Sequence, residues 1–129
     1  MALQMGRQDY VEFTRLYEGK RVEVEGLKGN LFVSLTEDAK EISVAVVGPK
    51  TRVEQVVIEE QGDSLLIVQS SIDPLFPNPP VIAITPDGKF TTEAVVTITM
   101  PLGTFIVLDD VKGFVRIKYG ETDVLSFSN

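Results

Sequence analysis

The chain has 129 residues, with 19 acidic against 12 basic side chains and neither His nor Cys. That length suits one domain around one core, and a formal charge of −7 opposes the counterion release by which proteins hold nucleic acid. Without Cys there are no disulfides and no thiolate metal sites, and without His the chain lacks the commonest metal ligand and the commonest general base at neutral pH. The expectation is therefore a protein that is not an enzyme and uses no metal and no cofactor.

Met1 to Tyr10 contain no apolar h-region of a secretory signal. No stretch approaches the roughly 20 apolar residues of a membrane-spanning helix, so no membrane insertion is expected. Tyr10, Phe13, Leu16 and Tyr17 have a spacing that fits a short helix or an extended arm. Residues 1–20 are read as an N-terminal arm and 21–129 as a single β domain.

From Arg21 onward apolar residues fall at spacing two in short runs rich in Val and Ile, broken by Gly, Asp-Gly or Pro, which is the signature of strands. The pattern predicts about ten: 21–25, 30–36, 42–48, 53–60, 64–70, 81–85, 94–100, 104–108, 114–119 and 124–127. The fold class is all-β. Gln61-Gly62-Asp63 lies between Val56-Val57-Ile58 and Leu65-Leu66-Ile67, so a three- or four-residue turn there pairs the two runs as an antiparallel hairpin. Gly88 and Gly103 mark further turns.

Ser70 to Pro80 holds Pro74, Pro77, Pro79 and Pro80 and joins no ladder except at an edge, so it is a loop. Its Leu75 and Phe76 are candidate binding residues, because loops carry binding disproportionately. Pro86-Asp87-Gly88 is turn chemistry, predicted to reverse the chain between 81–85 and 94–100, and it places a third candidate, Phe90, near a loop tip. Glu59-Glu60 and Asp109-Asp110 are adjacent carboxylates. Neighbours on a strand point to opposite faces, so neither pair forms a catalytic dyad by itself.

One motif is written twice. Val24-Glu25-Gly26-Leu27-Lys28-Gly29-Asn30-Leu31-Phe32-Val33 matches Leu108-Asp109-Asp110-Val111-Lys112-Gly113-Phe114-Val115-Arg116-Ile117. A strand ends, an aliphatic residue turns inward at a corner, Gly29 or Gly113 takes special backbone angles, and a new strand begins. Such a corner belongs to a β-solenoid coil or to a bend between two packed sheets, and the two alternatives stand side by side.

Three segments carry a resemblance: Val53 to Ile67 with its Gly62-Asp63 turn, Val95 to Val107 with Pro101-Leu102-Gly103-Thr104, and Gly113-Phe114-Val115-Arg116-Ile117. Over roughly residues 20 to 127 the chain resembles the bacterial putative auto-transporter adhesin head domain. The resemblance implies a β-helix-like, two-faced β structure and a place in the periplasm or cell envelope. The first functional expectation is thus an adhesin-like binding or assembly module whose partner is a protein or surface ligand, or a second copy of itself. Open sheet edges seek partners and favour a homo-oligomer. The alternative is a small-ligand or carbohydrate-binding β-sandwich using the 71–80 and 86–93 loops.

Overall fold

Alternating aliphatic residues dictate where the chain is extended, and the computed structural model, which describes residues 6–69 and 81–128, realises that pattern almost throughout. In chain order the elements are β1 (Gly6–Arg7), β2 (Tyr10–Tyr17), β3 (Arg21–Glu25), β4 (Leu31–Thr36), β5 (Ile42–Pro49) and a short helix α1 (Lys50–Glu54). They continue with β6 (Val56–Gln61), β7 (Ser64–Gln69), β8 (Val81–Ile84), β9 (Phe90–Thr91), β10 (Val95–Pro101), β11 (Phe105–Asp109), β12 (Phe114–Tyr119) and β13 (Thr122–Ser128). Among the described residues no helix is long and apolar enough to cross a membrane.

A six-stranded sheet runs β13-β12-β4-β10-β5-β2 and a four-stranded sheet runs β11-β3-β7-β6, while β1-β8-β9 form a small third sheet. The two larger sheets enclose the core. The arrangement is sandwich-like, and the strands close neither a barrel nor a solenoid.

The twice-written motif folds as two rungs stacked directly on one another. β11 pairs parallel with β3, setting Leu108 beside Val24 and Asp109 beside Glu25. β12 pairs parallel with β4, setting Val115 beside Leu31 and Ile117 beside Val33. Every aliphatic strand position of one copy thus neighbours its counterpart in the other. The ladders extend one strand further: Val24 also faces Ile67 of β7, and Val33 faces Ile98 of β10. Val22, Val24, Leu31, Val33, Leu65, Ile67, Val96 and Ile98 are all buried. Each such side chain contributes about 1.5–3 kcal/mol over an exposed position.

At the corners the glycines do something other than expected. The left-handed backbone belongs to Gly26 (φ 66°) and its counterpart Asp110 (φ 56°), whereas Gly29 and Gly113 are not among the positive-φ residues. Gly29 and Gly113 instead permit close stacking of backbones. A Cβ on Gly29 would lie 1.7 Å from the Ala94 carbonyl oxygen, and one on Gly113 would lie 2.2 Å from the Gly29 carbonyl oxygen. Ala94, Gly29 and Gly113 form a column of small residues on which the rungs rest. Gly62, Gly88 and Gly103 do occupy turns with positive φ, at 63°, 86° and 89°, and have open space around them.

The β6–β7 hairpin forms, but its turn is shorter than the three or four residues expected: Gln61 pairs with Ser64 across Gly62-Asp63 alone. Two further expectations need correction. The strand predicted over 53–60 begins only at Val56, because Lys50–Glu54 is helical. Pro49, with φ −61°, precedes the helix, and one helical turn brings Val53 and Val56 to the same side, where both are buried. A continuous strand would set them on opposite faces. The turn after Ile84 does not return the chain to β10. β8 pairs with the two-residue β9, matching Ile84 to Phe90, while β10 inserts between β4 and β5. Thr85 N–H donates to the Lys89 carbonyl at 2.8 Å, closing the Pro86-Asp87-Gly88 turn over β9 instead.

Residues 10–17 take the extended alternative. β2 pairs antiparallel with β5 along its full length, from Tyr10 beside Pro49 to Tyr17 beside Ile42. Tyr17 is buried, and its hydroxyl donates to the Gly62 carbonyl. Burial, reinforced by the nearby negative charges of Glu60 and Asp63, raises its phenol above the ordinary 10.0. Because the folded state favours the neutral phenol, its contribution is complete below pH 10.0 and declines as pH rises through the shifted value. Denaturant midpoints measured from pH 8 to about pH 11.5 should fall above pH 10. Tyr17→Phe should flatten that fall, and equal slopes for the two proteins would refute the assignment.

Candidate binding surface

The sandwich has two dissimilar ends. At the β2 end the six-stranded sheet reaches past the other, and its side chains cross the gap. Arg15 pairs with Glu60 on β6 at 3.3 Å, and Tyr17 bonds to Gly62 in the β6–β7 turn. That end is latched.

The opposite end consists of β11, β12 and β13. There the ladder residues Ile106, Leu108 and Ile117 are only partly buried, although Val22, Val24 and Val33 on the preceding rung have almost no exposure. Five of the nine large hydrophobic residues exposed among the described residues lie on these three strands: Phe105 (69%), Val107, Tyr119, Val124 (62%) and Leu125. So many apolar side chains in contact with water make this end a candidate binding surface. The side-chain hydrogen bonds of β13 run to its own neighbour: Arg116 grips Asp123 at 2.8 and 2.9 Å. The Arg116 bond holds the Asp123 carboxyl below its usual range and occupies both its oxygens.

Of the residues singled out in the sequence, Leu75 and Phe76 lie outside the described residues. Phe90 stands on β9, 72% exposed, and borders a cleft of about 290 Å³ with Lys28, Gly29, Asn30, Thr91, Thr92, Glu93 and Val95. Residues 90–93 line one side of this largely polar cleft, at the edge of the small-residue column. That volume lies at or below the roughly 300–1,000 Å³ usual for small-molecule sites. Beneath it, the largely buried Arg52 points toward Glu93 at 3.6 Å, tying α1 to the segment that leads into β10. Among the described residues no group of three or more Asp or Glu side chains is placed to hold a metal ion.

The adjacent carboxylates diverge. Glu60 pairs with Arg15, and Asp109 and Asp110 sit exposed at the corner after β11. Sequence reasoning passed over the β11 and β13 surface. The signal was present in Phe105-Ile106-Val107-Leu108, where all four residues are apolar although one face of an outer strand must meet water.

These features define a class: an all-β module of two packed sheets, latched at one end and open at the other. No protein-family model matches the sequence, and no curated protein matches it either. Among solved structures it is similar to a putative adhesin from Parabacteroides distasonis, with 13% identity and a TM-score of 0.49, the match covering 86% of this chain and 42% of that one. It is also similar to a putative lipid binding protein from the same species, with 16% identity, TM-score 0.49, and coverage of 88% and 43%. A putative adhesin from Bacteroides fragilis matches with 20% identity, TM-score 0.44, and coverage of 85% and 41%. The chain spans less than half the length of each of these structures.

Proposed function

We propose that the chain is a non-enzymatic, adhesin-like binding module of a bacterial envelope-type protein, and that it engages a protein surface through its open end. The observation that carries this reading is the concentration of exposed Phe105, Val107, Tyr119, Val124 and Leu125 on the last three strands. At the β2 end, by contrast, Arg15 and Tyr17 reach across to Glu60 and Gly62. A chain without His or Cys offers little for chemistry and much for contact. The adhesin resemblance of the Val53–Ile67, Val95–Val107 and Gly113–Ile117 segments supports the same assignment and its place in the envelope.

Beads coated with the chain, passed over a panel of immobilised purified proteins and glycans, should be retained on at least one protein surface. A double substitution Phe105→Glu, Val107→Lys should reduce retention about tenfold, since a few central side chains carry most of the energy of such contacts. Retention no better than that of uncoated beads on every surface would overturn the reading. Retention only on glycans, unchanged by the substitutions, would move the site to the cleft beside Phe90.

A further inference from the structure

The open end has a width as well as a chemistry. The corners at 26–30 and 110–113 carry β3 into β4 and β11 into β12, so β11 stands opposite β12. The six-stranded sheet then continues by one strand, β13, with no counterpart in the four-stranded sheet. Among the described residues no strand pairs with the outer edge of β11, and the strand order leaves a slot one strand wide there. Its roof is the inward face of β13, fixed by register: Phe127 neighbours the buried Val115, and Leu125 neighbours Ile117. Phe127 packs against the core, while Leu125 is 44% exposed.

The backbone of β11 supplies the wall. Phe105 N–H donates to the Lys20 carbonyl at 2.9 Å, and Gly26 N–H donates to the Asp109 carbonyl at 3.0 Å. Residues 105, 107 and 109 therefore bond toward β3. Strand alternation turns the N–H and C=O of Ile106 and Leu108 toward the slot, a template for one more strand.

We propose that this slot takes a single extended peptide strand from a partner, which bonds to Ile106 and Leu108 and sets aliphatic residues at alternate positions against Leu125 and Phe127. The inference rests on the binding-module reading and gives the partner's form. Three direct strand pairings with a second copy leave the slot unfilled or clash. Joining the β13 edge to another copy's β2 leaves a two-strand gap beside β11, and joining β11 to the other copy's β6 places that copy's β2 where β12 already lies. Pairing β11 with itself about a two-fold axis drives the second copy's β12 onto β13. A lone strand meets none of these obstacles. Asp109 and Asp110 at the end of β11, with the net charge of −7, favour a strand carrying basic residues.

The probe is a capped octapeptide of alternating threonine and valine flanked by lysines, added to the full chain while amide hydrogen exchange is followed by NMR. Exchange at Ile106 and Leu108 should slow about tenfold or more, while Phe105 and Val107, already bonded to β3, change little. Of two peptides N-methylated on all threonines or on all valines, one should bind and the other should not, because alternate amides face opposite edges. Leu108→Pro removes a donor only at the free edge, and Leu125→Asp alters the roof while leaving β11 untouched; each should weaken the peptide about tenfold. Unchanged exchange at Ile106 and Leu108, or equal behaviour of the two methylated peptides, overturns the proposal. So does protection that grows with protein concentration alone, which would mean self-association. If coated beads are retained on a protein surface while the peptide fails these tests, strand addition falls and the binding-module reading stands.

Discussion

Gly29→Ala should be the most damaging single-methyl change in the molecule, lowering unfolding free energy by about 3 kcal/mol or more in a urea titration. The new Cβ would sit 1.7 Å from the Ala94 carbonyl oxygen and 2.9 Å from its carbon, and both atoms belong to backbone that cannot swing aside. Relief requires the β3–β4 corner to lift off the rung beneath it, which would shear the Leu31–Val96 and Val33–Ile98 neighbours apart. Gly113→Ala meets the Gly29 carbonyl at 2.2 Å but sits on the terminal rung, which is freer to move, so its cost should be about 2 kcal/mol. Gly103→Ala is the control. Nothing lies within 4 Å of its Cβ, and only its φ of 89° resists a side chain, at about 1–2 kcal/mol. If Gly29→Ala proves no more costly than Gly103→Ala, the stacking column is not what the corner glycine serves.

Leu27→Ala comes next, at about 3 kcal/mol, because Leu27 is fully buried where the chain turns from one sheet to the other and a cavity there has little means of collapse. Val111, its counterpart in the second copy, is also buried, at 4% exposure, but it is a smaller side chain beside the open end. Val111→Ala should cost about 1–2 kcal/mol. The backbone joins the two corners as well, since Lys112 N–H donates to the Leu27 carbonyl at 2.8 Å. The two effects are therefore expected to be non-additive in the double variant, by about 0.5 kcal/mol or more. Strict additivity would mean that the corners act independently despite their stacking.

The parts of this fold that were legible in the sequence are those written locally. Strand positions such as 21–25 and 114–119 were read to the residue because period two is a property of neighbouring side chains. The Gly62-Asp63 hairpin was legible because one left-handed residue between two aliphatic runs leaves the chain few other routes. The repeated corner was visible as a pattern of aliphatic residues, acids and glycines. Its glycines were given the wrong task, since left-handed backbone and close packing both select Gly, and only Asp110 standing opposite Gly26 separates them. The candidate surface was less legible. Phe90 stands beside turn chemistry, while Phe105 and Val107 lie in a strand segment whose neighbours the sequence does not name.

By itself, then, the sequence determined an all-β chain, most of its strand segments, its tightest hairpin and the likeness of its two corners, because each depends on residues a few positions apart. The tertiary structure decided that the corners stack in register, that β10 lies between β4 and β5, that Lys50–Glu54 is helical, and that Arg15 and Tyr17 of β2 meet Glu60 and Gly62. Those outcomes depend on which strand finds which neighbour across long stretches of chain. A period of two specifies which face of a strand is buried, and it carries no information about what lies along the strand's edge.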